Sequence, residues 1–120
     1  MELTGPPPVH QTESPVVSDL ASLTAVHGDR TYREFLRVPA LSLGLFAAPP
    51  GHDDTQQPHE QDEVYLVLEG RAVLQIEGTG TPVAAGSIAY VPARVPHRFV
   101  DITEDLQVAV LFAPPEGSDS

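Results

Sequence analysis

The chain has no cysteine, tryptophan or lysine, and a single methionine. Without cysteine there are no disulfides, thiolate nucleophiles, Cys-ligated zinc sites or iron–sulfur clusters. All six basic residues are arginines, against 17 Asp and Glu, and the formal charge is −11. A chain this acidic repels a phosphate backbone, which argues against nucleic-acid partners, and an anionic membrane surface repels it for the same reason. No apolar run approaches the roughly 18 residues that span a bilayer. The first residues, MELTGPPPVHQ, lack Lys, Arg and an apolar stretch, so they do not read as a secretory signal. The expectation is a soluble, cytoplasmic protein. There is no glycine-rich phosphate loop and no ordered nucleophile–histidine–acid series.

What is abundant is punctuation. Thirteen prolines and nine glycines in 120 residues favour short strands and turns over long helices. Residues 1–30 read as a proline-rich arm followed by a short helical segment, Leu20–Val26, capped by Ser18-Asp19 and ended by Gly28. From Thr31 the apolar period becomes that of strands, over Tyr32–Val38, Leu41–Phe46, Val64–Leu68, Ala72–Ile76, around Val83, Ser87–Val91, His97–Val100 and Leu106–Phe112. Turns are expected at Glu69-Gly70, Gly78–Gly80 and Ala85-Gly86. Residues 31–113 thus form an all-β barrel or sandwich of eight to ten short strands, and residues 114–120 a frayed tail.

The chemistry concentrates in GHDDTQQPHEQDEVYLVLEG, residues 51–70. In an extended run alternate side chains share a face, so Gln57, His59, Glu63 and Tyr65 are placed on one side. An imidazole, a carboxylate and an amide oxygen together form a plausible metal-ligand set, and His97 in ARVPHRFV is the candidate for a further ligand. Tyr65 offers a hydroxyl, and Phe35, Phe46 and Phe99 are candidate cavity walls. His52 with Asp53 and Asp54 reads as a solvated turn. His10 and His27 read as incidental. The even-numbered face Val64, Leu66, Leu68 is wholly apolar and needs cover from a second sheet, the N-terminal segment or a partner subunit.

The two histidine-bearing stretches resemble the cupin family. Gly51 is followed by five residues, then Gln57-Pro58-His59, three residues, Glu63, six residues and Gly70. Gly86 is followed by five residues, then Pro92-Ala93-Arg94, two residues, His97, three residues and Asp101. The departures are Gln57 at the family's first metal histidine, Arg94 at a turn glycine and Asp101 at a final asparagine. The resemblance implies a double-stranded β-helix, or jelly roll, and a divalent transition metal (Fe, Mn, Zn, Ni or Cu) on Gln57, His59, Glu63 and His97. It also implies a small-molecule ligand and a homodimer. Glu63 and Tyr65 are then the candidate catalytic groups. Two histidines and one carboxylate suit a dioxygenase-type oxidoreductase. A metal-dependent isomerase or lyase and a non-enzymatic binding module are the alternatives.

Overall fold

The computed structural model describes residues 14–19, 31–54 and 58–117. The segments expected as a proline-rich arm and as the helix Leu20–Val26 lie largely outside these residues, as does Gln57. The described chain forms six strands: β1 (Tyr32–Val38), β2 (Leu41–Ala48), β3 (Asp62–Ile76), β4 (Thr79–Ala84), β5 (Ile88–Val91) and β6 (His97–Ala113). All pairings are antiparallel. The order is β1-β2-β6-β3-β4, with β5 also on β3. Pro82 is tolerated in β4 because that strand ends the sheet path and needs ladder bonds on one side only.

β1, β2 and β5 fall where the apolar pattern puts them. The long strands do not. Val64–Leu68 and Ala72–Ile76 are expected as two strands around a tight turn, yet they are one strand, β3. His97–Val100 and Leu106–Phe112 likewise merge into β6. The reason is that the left-handed residues inside them make irregularities rather than reversals. Gly70 has φ 95° and Asp101 φ 49°. Register between β3 and β6 slips between Val67 and Glu69, between Glu69 and Arg71, and between Arg71 and Val73. An inserted residue leaves the strand running but flips its inward parity. Before Gly70 the buried side chains are Glu63, Tyr65 and Val67; after it they are Ala72 and Leu74. Across Asp101 burial passes from His97 and Phe99 to Ile102, Leu106, Val108, Val110 and Phe112. At Gly70 a Cβ would collide with the Asp105 carbonyl, so a side chain cannot replace the glycine there. The β3–β4 reversal comes one residue earlier than expected, on Glu77 (φ 50°) and Gly78 (φ 85°), with Ile76 paired to Thr79. Two left-handed central residues match the twist of a hairpin.

The core is one cluster inside the cup. Phe46 stacks on Phe99 (ring centroids 5.6 Å apart, planes 17° apart), and Tyr65 meets Phe99 edge-on at 5.1 Å. Each such ring removes enough apolar surface from water to stabilise the fold by about 2 kcal/mol. The opposite face of β3 is different. Val64 and Leu66 are 37% and 39% exposed, and their β5 neighbours Tyr90 and Ile88 are 60% and 74% exposed. Among the described residues no second sheet covers this face.

Candidate metal centre

Three elements deliver three side chains to the floor of the cup. Glu63 is the second residue of β3 and points inward, 1% exposed. His97 is the first residue of β6 and is also buried. His59 does not belong to β3; it arrives from the preceding loop, half-buried. That loop is gripped by the turn before β6. The Arg94 amide donates to the His59 carbonyl (2.7 Å), the Arg94 guanidinium to Glu60 (3.0 Å) and the Ala93 amide to Asp62 (2.9 Å). Arg94 has φ 65°, the left-handed conformation that explains a glycine in the family pattern. Asp101 is left-handed too, a conformation Asn and Asp adopt more readily than most residues.

His97 Nε2 lies 2.9 Å from Glu63 Oε1, and His59 Nε2 lies 3.9 Å from the same oxygen. One ligating atom from each residue falls within 4.8 Å of the others. His97 Nδ1 is 2.7 Å from the Val95 carbonyl, a contact that places the ring proton on Nδ1 and turns the Nε2 lone pair towards Glu63. The contact of His97 Nε2 with Glu63 is close but not aligned as a hydrogen bond: Nε2 and Glu63 Oε2 are both buried without a hydrogen-bond partner. His97 Nε2 and Glu63 Oε1, two acceptors facing each other at 2.9 Å, are unfavourable unless a proton or a cation lies between them. The residues therefore fit a metal ion, being two imidazoles and a carboxylate with open geometry. Burial alone would lower the pKa of His97, but Glu63, the Val95 carbonyl and Asp54 outweigh it and hold the imidazole above its ordinary value.

Beside His59 lies a cavity of about 390 Å³, with Tyr32, Phe46, His52, Tyr65, Phe112 and Glu116 in its wall; Glu63 and His97 sit behind that wall rather than in it. The Tyr65 ring is 5.9 Å from that of His97. Of the expected wall residues Phe46 lines the space and Phe99 backs it, whereas Phe35 on β1 does not line it. Three residues escaped the sequence reading. Asp54, taken as solvated, is buried and accepts the Phe99 amide at 2.8 Å; a lone loop aspartate carries no sequence signal of that. Tyr32 carries no sequence signal beyond its place in a strand. Its hydroxyl is buried over Gly44, where any Cβ would collide with it, and has no hydrogen-bond partner. Burial, then Glu116, Glu34 and Glu63, push this phenol far above its usual range, so it stays neutral. Glu116 was placed in a frayed tail, yet residues 114–117 lie against the cup. Pro115 is buried, the Glu116 amide donates to Ser42 Oγ (3.0 Å), and Arg37 Nη2 donates to the Glu116 carbonyl (2.6 Å). Two adjacent prolines ahead of Glu116 were the available hint, since they stiffen the chain.

Residues 44–114 match the family model described as a cupin domain. An uncharacterised protein of Streptomyces coelicolor is 51% identical over 88 residues, covering 73% of this chain and 84% of that protein. The dimethylsulfoniopropionate lyase DddW of Ruegeria pomeroyi is 35% identical over 71 residues, 59% of this chain and 47% of that protein. Among solved structures, a Bacillus halodurans protein superposes with a TM-score of 0.73 at 20% identity, covering 90% of this chain and 87% of that one. KdgF from a Halomonas species gives 0.64 at 24% identity, covering 69% and 76%. At these identities the superpositions speak to the fold. The matched span holds both histidine motifs and strands β3 to β6, and the chain belongs to the cupin family.

Proposed function

We propose that this cupin is a metal-dependent enzyme acting on a small organic molecule, with lyase or isomerase chemistry as the leading reading. The observation that carries it is the meeting of half-buried His59 with buried Glu63 and His97, with two polar atoms lacking hydrogen-bond partners, next to a cavity of small-molecule size that His59 lines. A divalent transition ion (Fe, Mn, Zn, Ni or Cu) held by these three residues, with Gln57 as an added oxygen donor, would supply Lewis acidity. Glu63 offsets the charge of that centre. Tyr65 presents its hydroxyl to the ligand and moves a proton there. Phe46 and Phe112 keep the site dry. The 35% identity to a dimethylsulfoniopropionate lyase supports cleavage without oxygen. That match spans under half of the relative, so its substrate enters as a member of the test panel. Oxygenase-type oxidation is the second reading, supported by the two-histidine, one-carboxylate set.

Reconstitution of apo-protein with each metal, followed by product analysis over a panel of small acids and onium compounds with and without O₂, tests the proposal. Turnover under argon supports the lyase or isomerase reading. Product only with O₂ uptake selects the oxygenase, and tight binding without product selects a binding module. The described chain has no helix long and apolar enough to cross a membrane, and the reading includes a cytoplasmic setting. It also includes a homodimer, because Val64, Leu66, Ile88 and Tyr90 form one exposed apolar patch.

A further inference from the structure

We propose that Glu116 is a positioning residue for His59, orienting that imidazole towards the metal from the C-terminal strap; this rests on metal binding by His59, Glu63 and His97. The two histidines are arranged alike. Each turns Nε2 towards Glu63 Oε1 and Nδ1 away from it. On His97 the outer nitrogen meets the Val95 carbonyl at 2.7 Å. On His59 it faces Glu116 Oε2 at 3.9 Å. A metal-bound histidine generally donates its second ring N–H to a carboxylate or carbonyl, which fixes tautomer and ring plane. Rigid backbone does this for His97. His59 sits on a loop, and the carboxylate facing its outer nitrogen is that of Glu116.

The strap is built to supply one. Ser42, fully buried in β2, accepts the Glu116 amide. Arg37 holds the Glu116 carbonyl with one nitrogen and Glu34 with another, each at 2.6 Å. The backbone of Glu116 is thus fixed to β1 and β2 while its side chain enters the cavity wall. Its carboxylate is not one of the three groups whose ligand atoms converge, which makes it an orienting group rather than a ligand. Two strand-anchored contacts thus fix the Glu116 backbone where its carboxylate faces His59.

The test is Zn²⁺ titration of full-length apo-protein for wild type, Glu116→Ala, Glu116→Gln and Glu63→Gln, with nitrogen–proton NMR of the histidine rings. Glu116→Ala is expected to weaken Zn²⁺ by about 10- to 100-fold, and Glu116→Gln, which keeps an acceptor oxygen without charge, by less. The Nδ1 proton of His59 should exchange faster with solvent in Glu116→Ala while that of His97 stays protected. Unchanged affinity in a folded Glu116→Ala, or equal loss of both ring protons, overturns the inference. An altered Co²⁺ ligand-field spectrum in Glu116→Gln would place the carboxylate on the metal and also overturn it. If Glu63→Gln loses Zn²⁺ and Glu116→Ala does not, only Glu116 is wrongly assigned. If wild type binds no Zn²⁺ or Co²⁺, the metal reading falls with it.

Discussion

The two faces of β3 invert the usual arrangement. Inward, Glu63 and Tyr65 are almost completely buried; outward, Val64 and Leu66 keep over a third of their surface in water. A strand selected only for stability would place the carboxylate outside and the leucine inside. Burying Glu63 costs several kcal/mol unless something compensates, and an exposed apolar row invites association. The contrast teaches that neither face is explained by folding of this chain alone: one gathers side chains that could hold a cation, and the other leaves apolar side chains uncovered among the described residues.

The largest effect is expected where the inner face is broken. His97→Ala should abolish stoichiometric metal, measured by elemental analysis, while circular dichroism still reports the barrel. Glu63→Gln should likewise lose metal, and in the apo form it should lower stability at acidic pH, because the carboxylate that favours the protonated His97 ring is gone. Next comes the outer face. Leu66→Asp with Ile88→Asp should convert the proposed dimer to a monomer in sedimentation analysis and leave metal content intact, since both residues lie on the outer face.

The third prediction sharpens the inner face through pH. His97 has its folded-state pKa raised. A raised pKa gives stability that is fully present below the unfolded value near 6.5 and lost as pH climbs through the folded one. Apo-protein should therefore become less stable from about pH 6.5 upward. Metal requires the same ring unprotonated, so holo-protein should lose stability on acidification. Thermal melts across pH with and without Zn²⁺ should slope in opposite directions. The smallest effect belongs to Gln57→His, which supplies an imidazole at the family's ligand position and should tighten metal binding modestly; weaker binding would mean the site is fitted to the amide.

Much of this was legible before any coordinates. His59, Glu63 and His97 declared themselves through spacing to flanking glycines, and β1 and β5 through apolar runs closed by Pro39 and Pro92. Turn chemistry misled at Gly70 and Asp101, because a left-handed residue serves a bulge as well as a reversal and only the partner strand decides which. Asp54, Tyr32 and Glu116 were hidden for a related reason. Their roles are contacts with Phe99, Gly44 and His59, partners 45, 12 and 57 positions away in the chain, and no local pattern encodes them.

Gly70 has a larger consequence than its place in a strand suggests. Glu63 lies near the start of β3 and pairs with Phe112, while His97 pairs with Ile76 at the far end. Laid straight, thirteen residues of strand would hold those ends roughly 40 Å apart, yet Glu63 and His97 touch. Curvature, not adjacency, assembles the ligands. A substitution that stiffened the bend at Gly70 would act as a lever on the metal centre, unmaking it from a distance while every coordinating residue stayed in the chain.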